Sequence, residues 1–304
     1  MIPTALPLEL QMEIFVLAAR SRPVAIPKLM LVSWWVNKLV EPFLYRTIVF
    51  SDPIKHYPAF RPDVLLRAIQ SKPASFFRDS VRHLNFSAPG DRFSEEDART
   101  IISACSGVVN LHVPSQNLLT KVFLDLLPPV KRIYTNVEML FHPSPVDFSH
   151  PSLSHLTHLQ VFDWVREETA NQWASLATLP HLTHLSFANC RRIFPVFRRI
   201  LDTSNSLQIL VLLTSGPLRR HDSDSQENEL LTQDPRFVAM ISLYYQWDWQ
   251  MGVHTGQDYW ARAENFVAKR KAGLVQDCFM TTIKIFSRNS TNGLLDFHDP
   301  GSHA

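Results

Sequence analysis

Ser154-His155-Leu156-Thr157-His158-Leu159 and Pro180-His181-Leu182-Thr183-His184-Leu185 are one hexapeptide but for the first residue, and they stand 26 residues apart. Each runs on to a further alternating apolar position, Val161 and Phe187, so both copies read L-x-x-L-x-L. Alternation sends every second side chain of a short strand to one face. Recurrence at a spacing of roughly 20–29 residues is the mark of strand-and-helix units stacked into a solenoid.

Outward from this pair, the same template fits Val81/Leu84/Phe86, Val108/Leu111/Val113, Val130/Ile133/Thr135, Leu207/Leu210/Leu212, Val238/Ile241/Leu243 and Met280/Ile283/Ile285. The central positions are 84, 111, 133, 159, 185, 210, 241 and 283; the first five intervals run from 22 to 27, and the last two stretch to 31 and 42. Tyr45/Ile48/Phe50 fits as a capping strand. Helical connections are expected between strands. Ser94-Glu-Glu-Asp97 has the form of a capping box. Apolar faces follow at Leu118/Val122/Leu126/Leu127, Trp173/Leu176/Ala177 and Ile193/Phe197/Ile200/Leu201.

Composition narrows the function. With 45% hydrophobic and 19% charged residues the chain is a folded one, and a net charge of +2 gives no electrostatic case for nucleic acid or a membrane surface. No apolar run is long enough to span a bilayer and no basic leader opens the chain, so the expected location is intracellular, in cytoplasm or nucleus. Cys105, Cys190 and Cys278 are too scattered for a disulfide framework or a zinc cluster, and Cys190 reads as a buried structural thiol. Only eight glycines occur, with no phosphate-binding loop and no nucleophile elbow, so no catalytic residue and no cofactor is expected.

The first fifty residues read differently. Leu10, Ile14, Leu17 and Ala18 share one helical face after Leu6-Pro7, proline being at home in a first helical turn. Pro23 breaks that helix. Pro27 seats a second one, with Leu29, Val32, Val36 and Leu39 along one side, and Pro42 interrupts it. Leu6-Pro7-x-Glu9-Leu10, Ile14, Leu29-x-Leu31-Val32-Ser33 and Val40-Glu-Pro42-Phe-Leu44-Tyr45-Arg46 together resemble an F-box, in the version common in large fungal families. Val36 departs from the pattern, because many F-boxes carry tryptophan there. The resemblance covers about residues 3–46 and implies a helical module that docks on the Skp adaptor of a cullin–RING ubiquitin ligase. Leu6, Pro7, Glu9, Leu10, Ile14, Leu31 and Val32 are the positions it assigns to that surface.

Leu182-x-x-Leu185-x-Phe187-x-x-Cys190 likewise resembles a cysteine-containing leucine-rich repeat. The expected fold class is therefore α/β: an F-box-like helical module over 3–50, a connecting segment over 51–80 with a helix at Val64–Ile69, and a leucine-rich-repeat solenoid over 81–286. The solenoid would be a curved parallel sheet with a helical convex side, followed by a disordered tail over 287–304. Residues 219–235, with Ser223 and Ser225, read as an exposed insertion. An aromatic run, Tyr244–Trp249, precedes a helix near 258–271 on which Trp260, Ala263 and Val267 face one way and Lys269-Arg270-Lys271 suit the C-terminus.

Residues flanking each central leucine point away from the repeat core, onto the concave face that solenoids use for binding. They are His83, His112, Arg132, Tyr134, His158, Gln160, His184, Ser186, Ile209, Val211 and Met240, with Asn85, Asn110 and Ser242 in the same rows. His158 and His184 fall on adjacent strands about 5 Å apart, yet no third ligand can be named, so the expectation is a protein-recognition face and no metal. The resulting reading is a non-enzymatic substrate receptor that joins a Skp adaptor to a target protein of unknown identity. A repeat scaffold without a ligase role is the alternative.

Overall fold

The computed structural model describes residues 6–50, 58–87, 94–114, 121–127, 129–165, 169–188, 194–214, 226–241 and 245–280. Leu118, Cys190, Ile193, Ser223, Ser225, Ser242, Leu243, Ile283, Ile285 and the 287–304 tail lie outside them.

The helices, in chain order, are α1 (Leu8–Ser21), α2 (Ile26–Leu29), α3 (Trp34–Tyr45), α4 (Pro62–Ser71), α5 (Ala74–Ser80), α6 (Glu95–Ala104), α7 (Lys121–Leu126), α8 (Val137–Phe141), α9 (Ala170–Ala174), α10 (Phe194–Thr203), α11 (Gln226–Gln233), α12 (Tyr245–Thr255) and α13 (Tyr259–Lys271). The strands are β1 (Thr47–Val49), β2 (His83–Asn85), β3 (Asn110–Val113), β4 (Arg132–Thr135), β5 (His158–Val161), β6 (His184–Ala188), β7 (Ile209–Thr214), β8 (Phe237–Ile241) and β9 (Phe279–Met280). All nine form one parallel sheet in sequential order.

One register row crosses the sheet: Ile48, Leu84, Leu111, Ile133, Leu159, Leu185, Leu210 and Phe237 stand opposite one another in turn. Their side chains enter the main core, where Leu65, Phe77, Ile101, Leu140, Trp173 and Phe197 from the connecting helices cover them. Thr157, which Thr183 matches in the second hexapeptide, ties the rows together. Its Oγ1 donates to the carbonyl of Lys131, and Thr183 Oγ1 donates to the carbonyl of Thr157. The capping box at Ser94 is present, Ser94 Oγ accepting from Asp97 N at 3.0 Å while Ser94 N donates back to the Asp97 carboxylate at 3.2 Å.

Several expectations are corrected. Ile241 does not hold the central position of its strand; Phe237 does, four residues earlier. Asp234 stands where the template asks for an apolar residue, because its carboxylate holds Arg236 (2.8 Å), which in turn reaches the carbonyl of Leu201. The slip is even, so Met240 keeps its expected face away from the main core, whereas Val238, the template's first apolar position, turns to that opposite face as well. Residues 226–233 form α11 with Leu231 fully buried, so this part of the expected insertion belongs to the core. The single helix expected after Pro27 is two, because Ser33 caps a fresh start by accepting from Val36 N at 3.1 Å. Pro42 lies inside α3 and does not end it. The strand read at Tyr45/Ile48/Phe50 as a cap to the repeats is β1, the first strand of the sheet, with Ile48 in the main core.

The N-terminal helices have a small core of their own, Ala19, Ile26, Val36 and Val40. Tyr45 joins it to the sheet through ring contacts with Phe60, Phe76 and Phe77, and Lys72 pairs with Glu41 at 2.6 Å across the same seam. Among the described residues no helix is long and apolar enough to cross a membrane.

The corrected register makes a sharp prediction. Phe237→Ala removes a fully buried ring and is expected to cost about 3–5 kcal/mol. Ile241→Ala, at a half-exposed position, is expected to cost at most half as much, both read from urea unfolding.

Candidate functional site

Two surfaces answer to the residues singled out in the sequence. The first is on the N-terminal helices. Leu6, Pro7, Glu9, Leu10, Ile14, Leu31 and Val32 are all exposed. Leu10 is 45% exposed, Ile14 52%, Leu31 86%, and the neighbouring Trp34 77%. Leu17 lies on the same face of α1 as Leu10 and Ile14, and Leu8 and Met12 are exposed on other sides of the helix. The α1 stripe read from its periodicity thus turns away from the module's own core. Contiguous apolar surface of this kind is uncommon on a chain that works alone.

The second surface is the sheet face opposite the main core, expected to be an open concave face. It is not open. Helices α12 and α13 form a hairpin that lies on it, and Ile209, Val211, Leu213, Val238 and Met240 form a second core with Trp249, Tyr259, Trp260, Ala263 and Val267. An apolar half-sheet has to be covered by something, and here the chain supplies the cover.

Where the strands become polar, the hairpin brings aromatic residues with polar tips. Trp249 Nε1 donates to Asn110 Oδ1 (2.8 Å), and Trp260 Nε1 donates to the Tyr134 hydroxyl (3.0 Å). Tyr259 OH donates to Gln160 Oε1 (3.0 Å) and lies 2.9 Å from Ser186 Oγ, which is placed to donate to it. Burial pushes both tyrosine hydroxyls well above their ordinary range, so each stays protonated. Of the expected recognition residues, His112, Tyr134, His158, Gln160, His184, Ser186, Ile209, Val211 and Met240 are therefore buried, and only His83 and Arg132 keep partial exposure.

The hairpin is fixed by specific local chemistry. Gly252 in α12 lies so close to Asp258 that an added Cβ would meet that residue's Cβ at 2.6 Å, and Gly256 ends the helix at a φ of +74°. Asp258 caps α13 by accepting from Ala261 N and pairs with Arg132 at 3.5 Å. Asp248 accepts from Tyr259 N and from Arg262, binding one helix to the other. Lys269, Arg270 and Lys271 do close α13, and Arg270 among them is buried. It donates to the carbonyls of Thr232, Asp234 and Phe237, fastening α13 to the start of β8. A cleft of about 380 Å³ remains at the hairpin's edge, bounded by His83, Asn110, Lys131, Arg132, Trp260 and Glu264.

His158 and His184 stack face to face, with ring centroids 4.0 Å apart and planes 6° from parallel. Trp260 meets both rings edge-on, at 5.4 and 5.6 Å. Glu264 of α13, which the sequence did not single out, places Oε1 3.1 Å from His184 Nε2. The three side chains bring their potential ligand atoms within 4.8 Å of one another. Burial pushes His158 down to about 2, helped by its neighbour His184, and lowers His184 against the opposing pull of Glu264. Elsewhere, burial holds the Cys105 thiol up at about 12, far from a reactive thiolate. No protein-family model and no curated protein matches the chain.

Burial also pushes His83 and His112 down to about 3 and His254 to about 4, from an ordinary value of 6.5. These rings bind protons more readily in the unfolded chain, so stability is full above about pH 6.5 and is lost as pH falls toward the folded values. Asp163, which accepts from Val137 N and Glu138 N at the start of α8, acts in the opposite sense. Burial raises it from 3.8 to about 6, so its contribution weakens as pH rises across that interval. Burial raises Asp248 and Asp258 in the same sense as Asp163, and the five lowered rings, with His158 and His184 included, outnumber these three carboxyls. The expected result is a lower melting temperature at about pH 5.5 than at neutrality, with net proton uptake on unfolding, measured by calorimetry in buffers of different ionisation enthalpy.

Proposed function

We propose that the chain is the substrate-receptor subunit of an SCF-type (Skp–cullin–F-box) ubiquitin ligase. In this reading α1–α3 are an F-box-like module that holds the Skp adaptor, and the parallel sheet with its helices is a leucine-rich-repeat solenoid that presents a target protein. The receptor performs no bond chemistry; it contributes proximity and orientation.

One observation carries the reading. The residues that the F-box resemblance assigns to adaptor docking, Leu6, Leu10, Ile14, Leu31 and Val32 above all, are large apolar side chains left at the surface, while Ala19, Ile26, Val36 and Val40 supply the module's core without them. Core residues of a small helical cap would be expected to have the opposite burial. Buried apolar anchors at the centre of an interface commonly contribute about 2 kcal/mol or more each.

The covered sheet face changes where a target would be met. With α12 and α13 in place, His112, Tyr134, His158, Gln160, His184, Ser186, Ile209, Val211 and Met240 are out of reach. The target is assigned instead to the outer side of the hairpin and the cleft beside it, where His83, Arg132 and Glu264 are accessible.

Co-expression with a Skp adaptor tests the adaptor half. The wild-type chain is expected to co-elute with it as a one-to-one complex. Leu10→Asp combined with Ile14→Asp is expected to weaken binding at least about a hundredfold. The urea midpoint should stay unchanged, since both positions are exposed. An adaptor complex that survives the double substitution, or no complex with the wild type, would sink the assignment in favour of a repeat scaffold without a ligase role.

A further inference from the structure

Proton counting around the stacked histidines leads to a metal site. Thr157 Oγ1 lies 3.0 Å from the carbonyl of Lys131 and 2.9 Å from His158 Nδ1. A carbonyl can only accept, so the single hydroxyl proton goes there, and the hydroxyl oxygen accepts from Nδ1–H. Thr183 repeats the arrangement with the carbonyl of Thr157 at 3.1 Å and His184 Nδ1 at 2.7 Å. Both rings are thereby set as the Nδ1–H tautomer, with a bare lone pair on Nε2.

Those two Nε2 atoms have no ordinary use for their lone pairs. His158 Nε2 is buried and has no hydrogen-bond partner among the described residues. His184 Nε2 faces Glu264 Oε1 at 3.1 Å, so a lone pair points at a carboxylate. Two such atoms are held together by something positive between them. A proton answers that need for His184 and Glu264 but leaves His158 unpaired. A divalent cation satisfies all three atoms at once.

We propose that His158 Nε2, His184 Nε2 and the Glu264 carboxylate form a divalent-metal site of the zinc type, which fastens α13 to β5 and β6. Two imidazoles and one carboxylate suit zinc in chemistry and in number, with one coordination position left over. Zinc bonds of about 2.0–2.1 Å put tetrahedral ligand atoms about 3.3–3.5 Å apart. The three residues, already within 4.8 Å, reach that spacing by turning the Glu264 side chain, which is 54% exposed, and by swinging the two imidazoles out of their parallel stack so that both Nε2 lone pairs converge on the ion. The threonines supply what a ligating histidine needs on its far nitrogen, a fixed acceptor relayed to a backbone carbonyl. Trp260 edges against both rings and limits their rotation. Glu264 and Trp260 also border the 380 Å³ cleft with Lys131 and Arg132, so the fourth position faces a basic opening fit for water or an anionic group.

The test uses the full chain, stripped with a chelator and titrated with zinc or cobalt(II), without any adaptor present, so its outcome is independent of the ligase reading. Wild type is expected to bind one metal per chain at micromolar or tighter affinity. It should also melt several degrees higher with zinc than without. Cobalt(II) is expected to show the visible bands of a four-coordinate site. Glu264→Gln, a surface change, should weaken binding at least tenfold while near-ultraviolet circular dichroism, dominated by Trp249, Tyr259 and Trp260, stays the same. His158→Ala with His184→Ala should abolish it. Absence of saturable one-to-one binding, or one-to-one binding that Glu264→Gln leaves unchanged, overturns the site.

Discussion

β7 and β8 are apolar on both faces, and much of the C-terminal half follows from that constraint. Leu210, Leu212, Phe237 and Ala239 point into the main core, while Ile209, Val211, Leu213, Val238 and Met240 point the other way. A parallel strand in this condition needs two covers, and the helix that connects it to its neighbour provides only one. The second cover is α12 and α13. At about 25 cal/mol for each Å² of apolar surface withdrawn from water, five aliphatic side chains set against Trp249, Tyr259 and Trp260 supply the drive that holds the hairpin down. Arg270 and Asp248 then fix its position through hydrogen bonds that only one placement satisfies.

The choice of aromatic residues in the hairpin follows from what lies beneath it. The same sheet face is apolar on β7 and β8 and polar on β3 to β6, where Asn110, Tyr134, Gln160 and Ser186 need partners. Tyrosine and tryptophan offer a large apolar body with one polar tip. Trp249, Tyr259 and Trp260 each use both parts: the ring joins the second core, and the N–H or O–H reaches a strand residue. Phenylalanine at these positions would bury as much area and leave the strand groups unpaired, which costs more than the hydrogen bond itself contributes.

The ladder from Leu84 to Leu210 was legible because alternation and a near-constant period both report on one face of a strand, and the pairing confirms each of those positions. At β8 the same template failed by four residues. Asp234 answers to Arg236 and not to the core, and Val238/Ile241 imitates the pattern nearby. The opposite face was legible as a list of residues but not as an environment. Periodicity tells which way a side chain points, and nothing in it tells what lies overhead. Trp260, Ala263 and Val267 were visible as one face of a helix, yet their complement on β7 and β8 is a matter of tertiary docking. Glu264 escaped notice for the same reason, since it becomes significant only when α13 is laid across β5 and β6.

An amphipathic stripe in a sequence means only that a cover is required, and this chain contains two such stripes with different outcomes. The one on β7 and β8 is covered from within. The one on α1, continued by Leu31, Val32 and Trp34, is not covered by any described residue, although a core built from Ala19, Ile26, Val36 and Val40 already closes the helices behind it. Phe15, Trp35, Leu39 and Phe43 pack against that core from its edges, while Leu10, Ile14, Leu17, Leu31 and Val32 take no part in it. Exposing them carries a cost in solubility that a self-sufficient helical cap would have no reason to bear. The inner stripe thus explains why the sheet holds its hairpin, and the outer stripe is the observation on which the proposed adaptor docking rests.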